Sequence, residues 1–162
     1  MKKHIISLCG YLIVFLMVYG VVNFWRAPVM PQTPQLAYIS QEQAKVDVIA
    51  QSHQQPILLY FWGTWCGVCQ FTTPNIQRLH QAGTLIVSVA VKSDSTEALH
   101  VYLQAHQYDF IVIDDLAGDI FADWQGKAVP TFVILKDGQI QQSFTGFAPL
   151  WLIKARLWLA RS

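Results

Sequence analysis

Cysteine is scarce in this chain, with three in 162 residues, and charged residues make up only 13%. Each lack excludes something. A structural zinc site wants four ligands, and past the first ten residues only Cys66 and Cys69 remain. No run of lysines or arginines appears and the formal net charge is +1. A phosphate-binding surface needs a concentrated positive field, so nucleic acid is set aside as a partner. There is no internal repeat, no low-complexity tract, and no Ala-x-Ala cleavage pattern after the N-terminal apolar run. His53, His80, His100 and His106 stand singly at expected helix ends and polar faces, where solvation is their ordinary state.

What is abundant is apolar surface, 53% of residues. Much of it lies in residues 5–25, IISLCGYLIVFLMVYGVVNFW, which carry no charge. About twenty residues at about 1.5 Å each cover roughly 30 Å, the hydrocarbon thickness of a bilayer. Lys2 and Lys3 precede the run and Arg26 ends it, which favours a cytoplasmic N-terminus (residues 1–4) and export of everything after the span. The run is longer than the apolar region of a cleaved signal, so an uncleaved anchor is expected. Tyr19, Phe24 and Trp25 cluster toward its exit, where aromatic rings favour the interface. Cys9 is expected to face lipid as a small apolar residue. Residues 26–37 hold Pro28, Pro31 and Pro34 and read as an extended tether, with a folded domain over 38–162.

Within that domain, Ser40 to Gln43 resembles a capping box that opens a helix to about Ala50. ILLYFW (57–62) and LIVSVAV (85–91) are apolar runs of strand length, typical of strands buried on both faces. A helix is predicted from the cysteine pair to about His80, ended by Gly83, and others over 95–107, 116–124 and 149–161. The last of these places Trp151, Ile153, Leu157 and Trp158 near one face. FIVI (110–113) is a short strand, and 130–144 a hairpin about Asp137 and Gly138. Alternating buried strands and helices followed by a hairpin predict an α/β fold with a central mixed sheet covered on both faces.

The pair lies in FWGTWCGVC (61–69), after a strand and at the head of a helix. Unpaired amide groups and the helix dipole there stabilise an anion. Lowering the Cys66 thiol from about 8.5 to about 7 is worth roughly 2 kcal/mol and makes about half of it thiolate at neutral pH. Cys69, one turn on, reaches Cys66 from a deeper position. Cys66 would attack a partner's disulfide and Cys69 would then release the partner reduced. Gly67 and Val68 between them would tune the direction. Three other readings compete. A staple three residues apart constrains the unfolded chain little. Zinc lacks a second pair of ligands. An anchored module that holds copper, or an apo-protein, through the two thiolates without turnover is chemically possible.

The segment resembles thioredoxin-like proteins, with Trp62 and Trp65 flanking the turn and Cys66 and Cys69 at the catalytic positions. Pro74 matches the proline that kinks the family's active-site helix. Val129, Pro130 and Thr131 look like its cis-proline segment, and Thr145, Gly146 and Phe147 like the glycine-bearing segment after the last strand. The resemblance implies a catalytic role for Cys66, Cys69 and Pro130, with a substrate contact surface of Trp65, Gly67, Val68 and Val129; Trp62 is expected in the core. It implies no cofactor beyond the redox-active disulfide, and no metal. The additional strand and helix at 110–124, with the anchor, resemble the exported TlpA, DsbE-like and ScsD-like branch. That branch implies a reductant for exported protein disulfides outside the bacterial inner membrane, recharged by a transmembrane electron donor, in cytochrome c maturation or copper tolerance. Where thioredoxin has a buried acid in the strand before the motif, Tyr60 stands here. The exported branch supplies an acid after the next strand, in VKSDS (91–95), which makes Asp94 the candidate; a one-residue offset would put Ser93 there.

Overall fold

The structure is a computed structural model that describes residues 2–29, 37–39 and 45–161. The chain opens with helix α1, Lys2–Arg26. Among the described residues no helix is long and apolar enough to cross a membrane, so the span expected over 5–25 is not shown. At the start of the stretch expected to be an extended tether, Pro28 is buried and the Val29 amide donates to the Trp124 carbonyl at 2.9 Å. Pro31 and Pro34 lie outside the described residues.

A small antiparallel ladder follows, β1 (Ala37–Ile39) with β2 (Lys45–Asp47), and then a short helix α2 (Val48–Ser52). This corrects the helix expected up to Ala50. Residues 45–47 are strand, and the helix starts only where the Asp47 carboxylate accepts the Ala50 amide at 2.9 Å. An Asp that caps a helix keeps extended backbone itself. The capping box at Ser40 lies outside the described residues.

The main sheet has five strands. β3 (Ile57–Trp62) is central, parallel to β4 (Leu85–Val91), which is parallel to β5 (Ile111–Asp115). On its other side β3 pairs antiparallel with β6 (Thr131–Lys136), and β6 with β7 (Gln139–Thr145), giving the order β5-β4-β3-β6-β7. Every residue of β3 is buried, and the pleat sends them alternately to two cores. Leu58, Tyr60 and Trp62 meet α3 (Gly67–Gln81), α4 (Thr96–His106) and α6 (Leu150–Leu159) through Ile76, Leu99, Ile153 and Leu157. Ile57, Leu59 and Phe61 meet the opposite core of Val48, Val133 and Trp124, beside α5 (Asp119–Asp123).

Two expected boundaries move, and one expected helix face is divided. β5 runs on to Asp115, because Asp114 and Asp115 continue the ladder opposite Ala90 and Val91. α5 starts at Asp119 rather than 116, after Gly118 at φ 84°. The Asp115 carboxylate then takes the amides of Ile120 and Phe121 at 3.1 and 2.9 Å. In α6 only Ile153 and Leu157 turn inward; Trp151 and Trp158 face solvent.

Candidate active site

The loop from β3 into α3 places both sulfurs. Gly63 accepts the Cys66 amide at 3.1 Å, and Cys66 keeps extended backbone (φ −88°, ψ 108°) as the N-cap of α3. Its sulfur receives the Cys69 amide at 3.2 Å, the kind of donor that steadies negative charge on sulfur. Cys66 and Cys69 are joined as a disulfide, their Cα atoms 5.2 Å apart. Cys66 is 7% exposed and Cys69 0%, so the outer sulfur is the one a partner can meet.

From the far side comes the loop into β6. The Val129–Pro130 peptide is cis, and the Val129 carbonyl oxygen lies 3.7 Å from the Cys66 sulfur. Gly146, at φ 89°, donates its amide to the Pro130 carbonyl at 2.9 Å and so ties the end of β7 to this loop. The structure therefore brings Cys66, Cys69, Val129 and Pro130 together, with Gly67 and Val68 exposed on the first turn of α3. Trp65 is 60% exposed beside them, its indole N–H donating to the Val91 carbonyl at 2.9 Å. Trp62 is core, as expected, and donates to the Ser88 hydroxyl at 3.2 Å.

Asp94 is not brought in. It is exposed in the turn after β4 at φ 59°, with no hydrogen bond or ion pair to the dithiol among the described residues. Its neighbour Ser93 is the buried one, and the Ser93 hydroxyl accepts the Thr64 amide at 3.2 Å in the loop before Cys66. The chain turns as it leaves β4, with Lys92 and Asp94 in left-handed backbone at φ 48° and 59°, which leaves Val91 and Ser93 buried and Lys92 and Asp94 exposed.

Two features escaped the sequence reading. Phe71 is 77% exposed one turn beyond Val68 on α3, and Phe147, next to Gly146, is 60% exposed. The spacing of Phe71 from Val68, three residues along a helix, was the available signal. Beneath the dithiol, Tyr60 and Thr73 share a hydrogen bond of 2.9 Å, and burial pushes the Tyr60 hydroxyl well above its ordinary range. Among the described residues no three metal-ligating side chains gather in one place.

The AhpC/TSA family profile matches residues 26–143. The chain belongs to the AhpC/TSA family. A protein of Haemophilus influenzae described as a "Thioredoxin-like protein" is 32% identical over 160 residues, covering 98% of this chain and 96% of that one. A "Thiol-disulfide oxidoreductase ResA" of Bacillus thuringiensis is 26% identical over 162 residues, covering 90% and 91%. The crystal structure of StoA from Bacillus subtilis superposes with a TM-score of 0.69 at 19% identity, covering 78% of this chain and 98% of that one, and shows the shared fold. With this fold, these relatives and a disulfide-bonded Cys66–Cys69 pair, the chain is a thioredoxin-like thiol–disulfide oxidoreductase.

Proposed function

We propose that this oxidoreductase is tethered to the outer side of the bacterial inner membrane by residues 5–25 and reduces disulfides in exported proteins. The observation that carries the redox reading is the Cys66–Cys69 disulfide at the head of α3, its outer sulfur receiving a backbone amide. The reaction starts with the pair reduced. The Cys66 thiolate attacks one sulfur of a partner's disulfide; a mixed disulfide forms and the partner's other sulfur leaves as a thiolate. Cys69 then attacks Cys66, the mixed bond breaks, and the partner is left with two thiols. A transmembrane electron donor returns two electrons to the pair. Val129 and Pro130 face the reacting sulfur, and Trp65, Gly67 and Val68 supply the contact surface around it. Asp94 has no part in this scheme, because it is exposed and untied to the sulfurs. The charge-free run of residues 5–25, with Lys2 and Lys3 before it, supports the anchor and its orientation. Cytochrome c precursors and copper-tolerance proteins are the partner classes suggested by resemblance to the exported branch.

Cys69→Ala in the full chain tests the core of this reading. It leaves Cys66 able to attack but nothing to release the partner, so mixed disulfides with exported proteins are expected to accumulate and to vanish on adding a thiol reductant. Alkylation of living cells with a mass-tagged maleimide is expected to find the wild-type pair mostly reduced. Empty traps would reject a protein substrate, and a mostly oxidised pair would reverse the direction. Carbonate extraction that frees the full chain from membranes would remove the anchor.

A further inference from the structure

The release step needs Cys69 as a thiolate, yet Cys69 is fully buried. Burial disfavours the charged form of a thiol, so the groups around it govern how its proton leaves. The only buried carboxylate among the described residues, Asp115, lies on β5 with its oxygens occupied by α5 amides. Beneath the dithiol are hydroxyls instead.

Their protons have one arrangement. The Thr73 hydroxyl lies 2.7 Å from the Cys69 carbonyl, which can only accept, so Thr73 donates there. The Tyr60 hydroxyl, 2.9 Å from the same Thr73 oxygen, must then donate to it. Tyr60 is held flat between Trp62 (6.2 Å, 2°) and Phe132 (5.1 Å, 22°). Thr72 donates to the preceding carbonyl, Val68, at 2.9 Å. Pro74 comes next and has no amide to offer the Gln70 carbonyl. The turn that carries Cys69 is therefore bound to the central strand by a hydroxyl chain just before the helix loses a rung. Burial keeps Tyr60 protonated throughout the physiological range, so it serves as a donor and not as a base.

We propose that Tyr60, acting through Thr73, is the positioning residue for Cys69, and that Cys69 surrenders its proton to solvent base without help from an internal carboxylate. The inference rests on the oxidoreductase reading above. With a partner sulfur joined to Cys66, hydroxide or a buffer base takes the Cys69 proton and the freed sulfur attacks Cys66. The bond from Cys66 to the partner breaks, and the partner leaves as a thiolate that takes up a proton. The two cysteines end oxidised and the partner sulfur reduced.

Stopped-flow reaction of the reduced full chain with dithionitrobenzoate separates the two sulfurs. The first thionitrobenzoate released reports attack by Cys66, and the second reports release by Cys69. From about pH 5 to about pH 8.5, the ordinary thiol value, the second rate is expected to rise in proportion to hydroxide with no inflection. Tyr60→Phe removes one oxygen and keeps the ring. It is expected to slow the second phase about threefold to tenfold at every pH, the effect of one lost hydrogen bond, and to leave the first phase unchanged. Thr73→Val is expected to do the same, and the double variant to be no slower than Thr73→Val alone. An inflection in that range that disappears in Asp94→Asn or Asp115→Asn would overturn the proposal. So would an unaffected second phase in Tyr60→Phe, or equal slowing of both phases, which marks a merely structural role. A missing first phase would reject the oxidoreductase reading itself, and this inference with it.

Discussion

Gly63 shows how much one missing methyl group decides. A Cβ built there would sit 2.6 Å from the Trp65 indole nitrogen, the same atom that donates to the Val91 carbonyl. Trp65 therefore lies across Gly63 and is fixed at a set place beside Cys66. Gly63→Ala would push the ring off this seat and break that hydrogen bond. Reduction of protein disulfides should fall severalfold, while exchange with the small disulfide dithionitrobenzoate changes little; the ratio of the two rates measures it. Equal loss on both substrates would mean that the loop carrying Cys66 had moved, and Trp65 would not be a contact residue. The cysteines themselves were legible from the sequence, since spacing and local pattern suffice to put two sulfurs at a helix head. Asp94 and Ser93 were not, because a one-residue shift in how the chain leaves β4 exchanges inside for outside, and no local signal marks the shift.

Among the elements, α5 is the clearest case of a part held by something outside itself. It has five residues, too few to be stable alone, and its N-cap position is Gly118, which has no side chain to offer. The Asp115 carboxylate does that work from the end of β5, accepting from Ile120 and Phe121. Replacing Asp115 with Ala leaves two part-buried amides unpaired and should lower stability by about 1–3 kcal/mol, read as a shift in the urea midpoint. A change within error would show that water replaces the carboxylate. The apolar runs of β3 and β4 announced themselves as buried strands, and α3, β6 and β7 fell close to their expected limits. Helix α6 did not give up its inward face so readily. Its tryptophans have the composition of core residues, but Arg156 stacks over Phe144 at 4.5 Å and helps to fix the helix so that Ile153 and Leu157 point inward.

Over the whole molecule, two cores share one sheet, and the aromatic residues near β3 connect packing to ionisation. Phe61 packs against Phe121 and Trp124 at ring distances of 5.3 and 5.7 Å. Phe61→Ala should cost about 3–5 kcal/mol, measured by thermal or urea unfolding; a loss below about 1 kcal/mol would mean that the core collapses onto the gap. Burial also raises the Tyr108 hydroxyl to about 12, and Tyr60 further, from an ordinary value of 10.0. Between the free and folded values the unfolded chain has released protons that the fold retains. That part of the stability is complete below about pH 10 and declines as pH rises through about 12. Tyrosinate absorbance near 295 nm should therefore appear for these two residues together with the loss of circular dichroism. Ionisation well before unfolding would show that the rings are wetter than their burial indicates.

The order of amino acids alone determined the alternation of strands and helices and the dithiol at a helix start, since each depends on near neighbours or on an apolar pattern; the proline opposite the dithiol was legible only through the family resemblance. Only the folded chain decided that a carboxylate four residues back caps α5, that Asp94 faces water, and that Tyr60 reaches the Cys69 turn through Thr73. Those outcomes depend on which faces of distant segments meet, and a hydrogen bond between residues 60 and 73 exists only once the sheet has laid the helix across it.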